Sequence, residues 1–217
     1  MKKLLISLLI LLPLSATAQV TLNGSIQSDV LVPENDEAIG AEKTEDVVTN
    51  TYVTLQMTSK YVDAGARLEY LDHPLPGYEK DFKGWGVPHF YVKGRYGMAE
   101  LTAGTFYEQF GSGFILRTYE ERSLGVDNSL LGGRLVLKPI EGLNIKLLSG
   151  KQRRYWNWNK ALVSGADVEM SLDEWIPSLK NNDTHLMVGA SWVNRYENNK
   201  EEVFVDAVHK INFPKYV

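Results

Sequence analysis

Two stretches of the 217-residue chain gather side chains capable of chemistry. Gly150-Lys151-Gln152-Arg153-Arg154-Tyr155-Trp156-Asn157-Trp158-Asn159-Lys160 sets four cations beside three aromatic rings. Trp156 and Trp158 have the flat apolar faces on which a sugar ring stacks, Asn157 and Asn159 can bond its hydroxyls, and Arg153 and Arg154 suit a carboxylate or phosphate. The competing reading is an aromatic belt whose cations reach lipid headgroups. In the second stretch, residues 107–126, Gly111-Ser112-Gly113 gives the backbone freedom to turn back on itself, and Glu108, Arg117, Glu120, Glu121 and Arg122 supply charge. Folded across a pore, this segment would set Arg117 and Arg122 against Glu100 or Glu69, with Arg134 also facing the lumen. Alternatively, residues 110–117 form one more wall strand. The glycines are not a phosphate loop, since no Gly-Lys-Ser/Thr ending or helix follows.

Catalytic signals are weak. His73, His89, His185 and His209 lack His-x-x-x-His or Glu-x-x-His spacing, so no zinc site is indicated. Asp206 with His209, or Ser112 as a nucleophile, would be an unspecific pairing, and no enzyme, cofactor or metal is expected. Residues 34–46 carry six acidic groups but lack the spaced ligands of a calcium loop. The chain has no cysteine, and its net charge of -4 gives no reason to bind nucleic acid.

These residues must be held by strands. Residues 1–18 read as a cleaved signal peptide, with two lysines, an apolar run and Ala16-Thr17-Ala18 at its end. After it, apolar and polar residues alternate with period two in about ten segments, among them Val20 to Val30, Thr51 to Thr58, Val62 to Tyr70, Leu131 to Lys138 and Val203 to Ala207. The segments exceed the usual 5 to 6 residues of a soluble strand. Short turns near residues 59–61, 96–98 and 138–142 and a longer one near 173–183 alternate with long connections near 32–46, 72–87, 107–126, 152–162 and 196–201. Charges such as Arg67, Glu69, Lys93, Arg95, Lys146 and Asp167 sit on the less apolar faces. Length, alternation of connections and charged faces together predict an all-β, antiparallel, up-and-down transmembrane β-barrel with a wet charged lumen. The alternative is an exported β-sandwich.

Residues 104–156, beginning GTFYEQFGSGFILRTYEERSLGVDNSLLGGRLVLKP, resemble the amino-terminal part of a family of uncharacterised outer-membrane β-barrel proteins from Bacteroidota. The resemblance implies architecture and location and is mute on mechanism. Members are longer, which implies that residues 19–217 are the first strands of a larger barrel. The terminal Phe213-Pro214-Lys215-Tyr216-Val217 points the same way, because Pro214 cannot donate to a ladder.

The expected function is therefore an outer-membrane, porin-like passive channel or surface scaffold for small polar solutes. Its partners would be outer-membrane lipid and lipopolysaccharide, the barrel-assembly machinery, and glycans or small solutes. The alternatives are an exported carbohydrate-binding β-sandwich with its site at Trp156 and Trp158, and an outer-membrane barrel hydrolase.

Overall fold

The computed structural model describes residues 19–197 except 39, 41, 44 and 77. The leader, the segment Val203 to Ala207, Asp206, His209 and the terminal Pro214 lie outside the described residues.

The period-two segments form strands close to where the alternation places them. They are β1 (Thr21–Leu31), β2 (Val48–Thr58), β3 (Val62–His73), β4 (Gly84–Tyr96), β5 (Ala99–Phe106), β6 (Glu120–Glu121), β7 (Val126–Asp127), β8 (Leu130–Leu137), β9 (Leu143–Arg154), β10 (Asn157–Ser171) and β11 (Met187–Tyr196). Nine of them make one antiparallel sheet in the order β1-β2-β3-β4-β5-β8-β9-β10-β11, and β6 pairs with β7 in a separate ribbon. A short helix, Pro177–Asn181, lies in the connection to β11.

The sheet is open. Among the described residues β1 pairs with β2 alone and β11 with β10 alone, so the ends of the meander do not meet. This overturns the transmembrane barrel, and with it the porin-like channel or surface scaffold, the barrel hydrolase and the outer-membrane location that rested on closure. Strand length and alternation specify a pleated sheet with two unlike faces; they do not specify that its edges join.

The charged face is covered, where a lumen would leave it wet. Arg67, Glu69, Arg153 and Asp167 are buried because the connections 74–83 and 107–129 fold onto that face and bring the β6–β7 ribbon with them, and Asp63 is buried under Arg95. Two apolar clusters lie among these charges. One joins Phe106, Phe110, Leu116, Leu130, Leu148 and Val163; the other joins Tyr52, Leu71 and Phe82, with Tyr78, Tyr155 and Trp156 against it. Apolar residues of the opposite face stay exposed, including Leu22 and Ile26 at 76% each and Leu55 at 63%.

Residues 110–117 are not a wall strand. They form a tight excursion closed by a bridge between Gln109 and Arg117, turning at Gly111 and Gly113, whose φ values of 49° and 86° lie in the left-handed region. The expected long connection at 152–162 is also corrected. β9 and β10 run on until Tyr155 and Trp156 alone join them, and the ladder slips once, between Trp158 and Leu162.

Candidate functional site

Arg67 and Glu69 stand two residues apart on β3, so the pleat points both to the covered face. Glu120 and Asp127 are cross-strand partners in the β6–β7 ribbon, which therefore delivers two carboxylates to one place. Arg67 donates from Nε to Glu69 Oε1 and from Nη1 to Glu120 Oε2, at 2.8 Å each, and its Nη2 lies 3.4 Å from Asp127 Oδ2. Arg153 near the end of β9 donates to both oxygens of Glu69 and to Asp127. Oxygens of Glu69, Glu120 and Asp127 fall within 4.8 Å of one another, a spacing compatible with a cation. Guanidinium groups already fill that role, since Arg122 Nε also donates to Glu120, at 3.1 Å. Three carboxylates face three guanidiniums, and a metal would have to displace one of them.

The cluster tunes its neighbours. Burial pushes the Asp127 carboxyl up, but Arg153, the Ser129 backbone N–H and Arg67 outweigh it and hold the group below the ordinary carboxylate range. Burial, then the adjacent Asp127 and Glu120, push the Tyr107 phenol up. His89 is driven down by burial and then by Arg67, so its ring is neutral near pH 7; it stacks on Tyr107 with ring centres 5.8 Å apart.

A second network occupies the other half of the covered face. Arg134 donates to Glu108 and, at 3.0 Å, to Glu100, which also receives Arg95 Nε at 3.2 Å. Lys146 Nζ sits 3.6 Å from Glu108, 3.6 Å from Asp167 and 3.4 Å from Glu169, and donates to the Gln109 carbonyl at 3.2 Å. Glu108 and Gln109 thus anchor the start of the 107–129 connection.

The sequence-selected residues separate accordingly. Glu100 and Arg134 meet in this second network. Arg153 lies in the buried cluster, unavailable to a ligand. Arg122 stacks 4.0 Å from the Tyr52 ring centre and donates to Gln27, while Arg117 lies over Tyr119, 5.0 Å from its centre.

Arg154, Trp156 and Trp158 gather at the tip of the β9–β10 hairpin, with differing roles. Trp156 donates its indole N–H to the Phe82 carbonyl at 3.1 Å, and its ring packs where Gly84 and Gly86 have no side chains. Trp158 is half-buried opposite Arg153. Arg154 is exposed, its guanidinium 5.9 Å from the Tyr155 ring centre. Tyr155 has φ 54°, rare for a residue with a bulky side chain. Its ring meets Phe82 edge-on at 5.1 Å, and its hydroxyl donates to Glu79. Asn157 is exposed beside them.

Sequence reasoning missed Asp127, Tyr78, Phe82 and Glu79. The available signal was the same-face pair Arg67 and Glu69, which demanded charged partners once covered.

The chain belongs to a family of unknown function (DUF6029), whose model matches residues 1–217. No curated protein matches it. The resemblance to outer-membrane proteins of Bacteroidota is corrected accordingly: the matching family brings neither that location nor that source.

Proposed function

We propose that the chain is a binding module, not a catalyst, that holds a saccharide at the tip of the β9–β10 hairpin. The observation that carries this reading is Tyr155, which takes the left-handed region in the two-residue turn between β9 and β10 and is tied there through its ring and its hydroxyl. Phe82 meets its ring edge-on, Glu79 accepts a hydrogen bond from its hydroxyl, and Trp156, next in the turn, donates to the Phe82 carbonyl. Strain of this kind costs about 1 to 3 kcal/mol, persists only where the surrounding structure imposes it, and clusters at functional sites. The ring of Tyr155, the amide of Asn157 and the cation of Arg154 then form a small platform suited to a sugar face, a hydroxyl and an acidic substituent.

The buried carboxylates argue against catalysis in the same geometry. Each is held by a guanidinium or ammonium group instead of standing poised beside an open cleft. Calorimetric titration with neutral and uronate-containing oligosaccharides tests the reading. Binding should favour the uronates and weaken roughly tenfold or more in Arg154→Ala, where a charge-assisted bond is lost. Equal affinity in wild type, Arg154→Ala and Tyr155→Gly, or no affinity for any saccharide, would remove the proposal.

A further inference from the structure

The outermost ladders of the meander are its longest unbroken ones. β1 pairs with β2 over eleven consecutive positions and β11 with β10 over ten, with no slip in either ladder; the β2–β3, β3–β4 and β9–β10 ladders all slip. Edge strands normally carry lysine, proline or a bulge that prevents further pairing. Neither β1 nor β11 contains Lys or Pro. Among the described residues, each leaves the row of backbone groups on its outer side without a strand partner.

The edges also match each other. Eight successive antiparallel pairings separate them, so β1 and β11 run in the same direction. If a second copy extended the sheet with its faces in the same sense, β11 of one copy would lie parallel to β1 of the next. Aligning Val188 with Leu22 then sets Ala190 beside Gly24 and Trp192 beside Ile26, all on the exposed apolar face. On the charged face the same alignment sets Ser191 beside Ser25, Val193 beside Gln27 and Arg195 beside Asp29. Arg195 is exposed and meets Glu197 at 3.4 Å. Asp29 accepts from Gln27 of its own strand. Pairing β1 with a second β1, or β11 with a second β11, gives no comparable match of charge.

We propose that this chain associates with itself head to tail, the β11 edge of one copy pairing in parallel with the β1 edge of another. Such a contact is heterologous and leaves one edge of each kind free, so it propagates into a ring or a chain of copies. The acidic end of β1 and the basic end of β11 set the register.

Sedimentation of the full chain over a wide concentration range should show reversible association. Asp29→Arg and Arg195→Asp should each weaken it about fivefold, as a like-charge or unpaired cross-strand position does, and the two together should restore it. Cysteine pairing gives a second reading, since the chain has no cysteine of its own. A mixture of Ile26→Cys and Trp192→Cys proteins should form a disulfide-linked dimer, and neither protein alone should do so. A monomer at every concentration overturns the proposal, as does cross-linking of Ile26→Cys protein with itself or failure of the double charge exchange to restore association.

Discussion

Arg153 and Glu69 lie 84 residues apart in sequence and meet through two bonds, Nη2 to Oε2 at 2.7 Å and Nη1 to Oε1 at 3.3 Å, with both side chains almost wholly buried. Removing one partner of such a pair leaves a charge without water or counter-charge, which costs about 3 to 5 kcal/mol. Arg153→Met should therefore shift the urea midpoint strongly, because Glu69 and Asp127 both lose a donor. Arg153→Lys should recover part of the loss, since an ammonium cannot reproduce the two-point contact.

Acid should weaken the fold through Asp127 and Asp63. Arg95 donates to Asp63 and is the main reason its carboxyl lies below the ordinary range; Asp127 is depressed by Arg153, Ser129 and Arg67 against the opposing effect of burial. A carboxylate whose folded value lies below its unfolded value of about 3.9 stabilises the fold above that pH, and the contribution disappears as pH falls through the folded value. Unfolding free energy followed by urea titration at stepped pH should thus decline below about pH 4. Asp127→Asn should lower stability at neutral pH and flatten the acid slope.

Phe110 seats the 107–129 connection on the covered face. Its ring is buried, and a Cβ at Gly165 would fall 2.7 Å from Cε2. Gly165→Val should push the ring out and cost about 1 to 3 kcal/mol, and Phe110→Ala should cost about 3 to 5 kcal/mol through the cavity it leaves. Both should speed proteolytic cleavage near residues 111–113, whereas a substitution at exposed Ser112 should not.

Gly132 and Gly150 face each other where β8 meets β9. A Cβ at Gly132 would lie 2.0 Å from the Ser149 carbonyl oxygen, a backbone atom that cannot swing aside. Gly132→Ala should separate the two strands locally and destabilise by roughly 1 to 3 kcal/mol. Gly97→Ala, at a turn with open space around it, relieves no contact and creates none, so its smaller cost should reflect φ 55° alone.

Local pattern made the strands legible. Alternation such as Val62, Ala64, Ala66 and Leu68 against Asp63, Gly65 and Arg67 carries the face assignment of β3 in the residues themselves. What covers each face is not local. Arg67 reads equally well as a wet wall residue or as half of a buried pair, and Glu120 and Asp127, more than 50 residues later, decide between them. Arg153 and Arg154 were indistinguishable as neighbouring cations. One step along the chain places the first in the cluster and the second in solvent. Tyr155 carries no mark of its φ, because the two-residue turn between β9 and β10 imposes it at a position where Asn or Gly is the usual signal.

A meander whose strands touch mainly their sheet neighbours behaves as a linear array, able to peel from either edge with each hairpin letting go in turn. The Arg67, Glu69, Asp127 and Arg153 cluster changes that, because it ties β3 to β9 across the three strands between them. Residues on these five strands should therefore exchange their amide hydrogens as one cooperative unit, while β1 and β11 open independently and earlier.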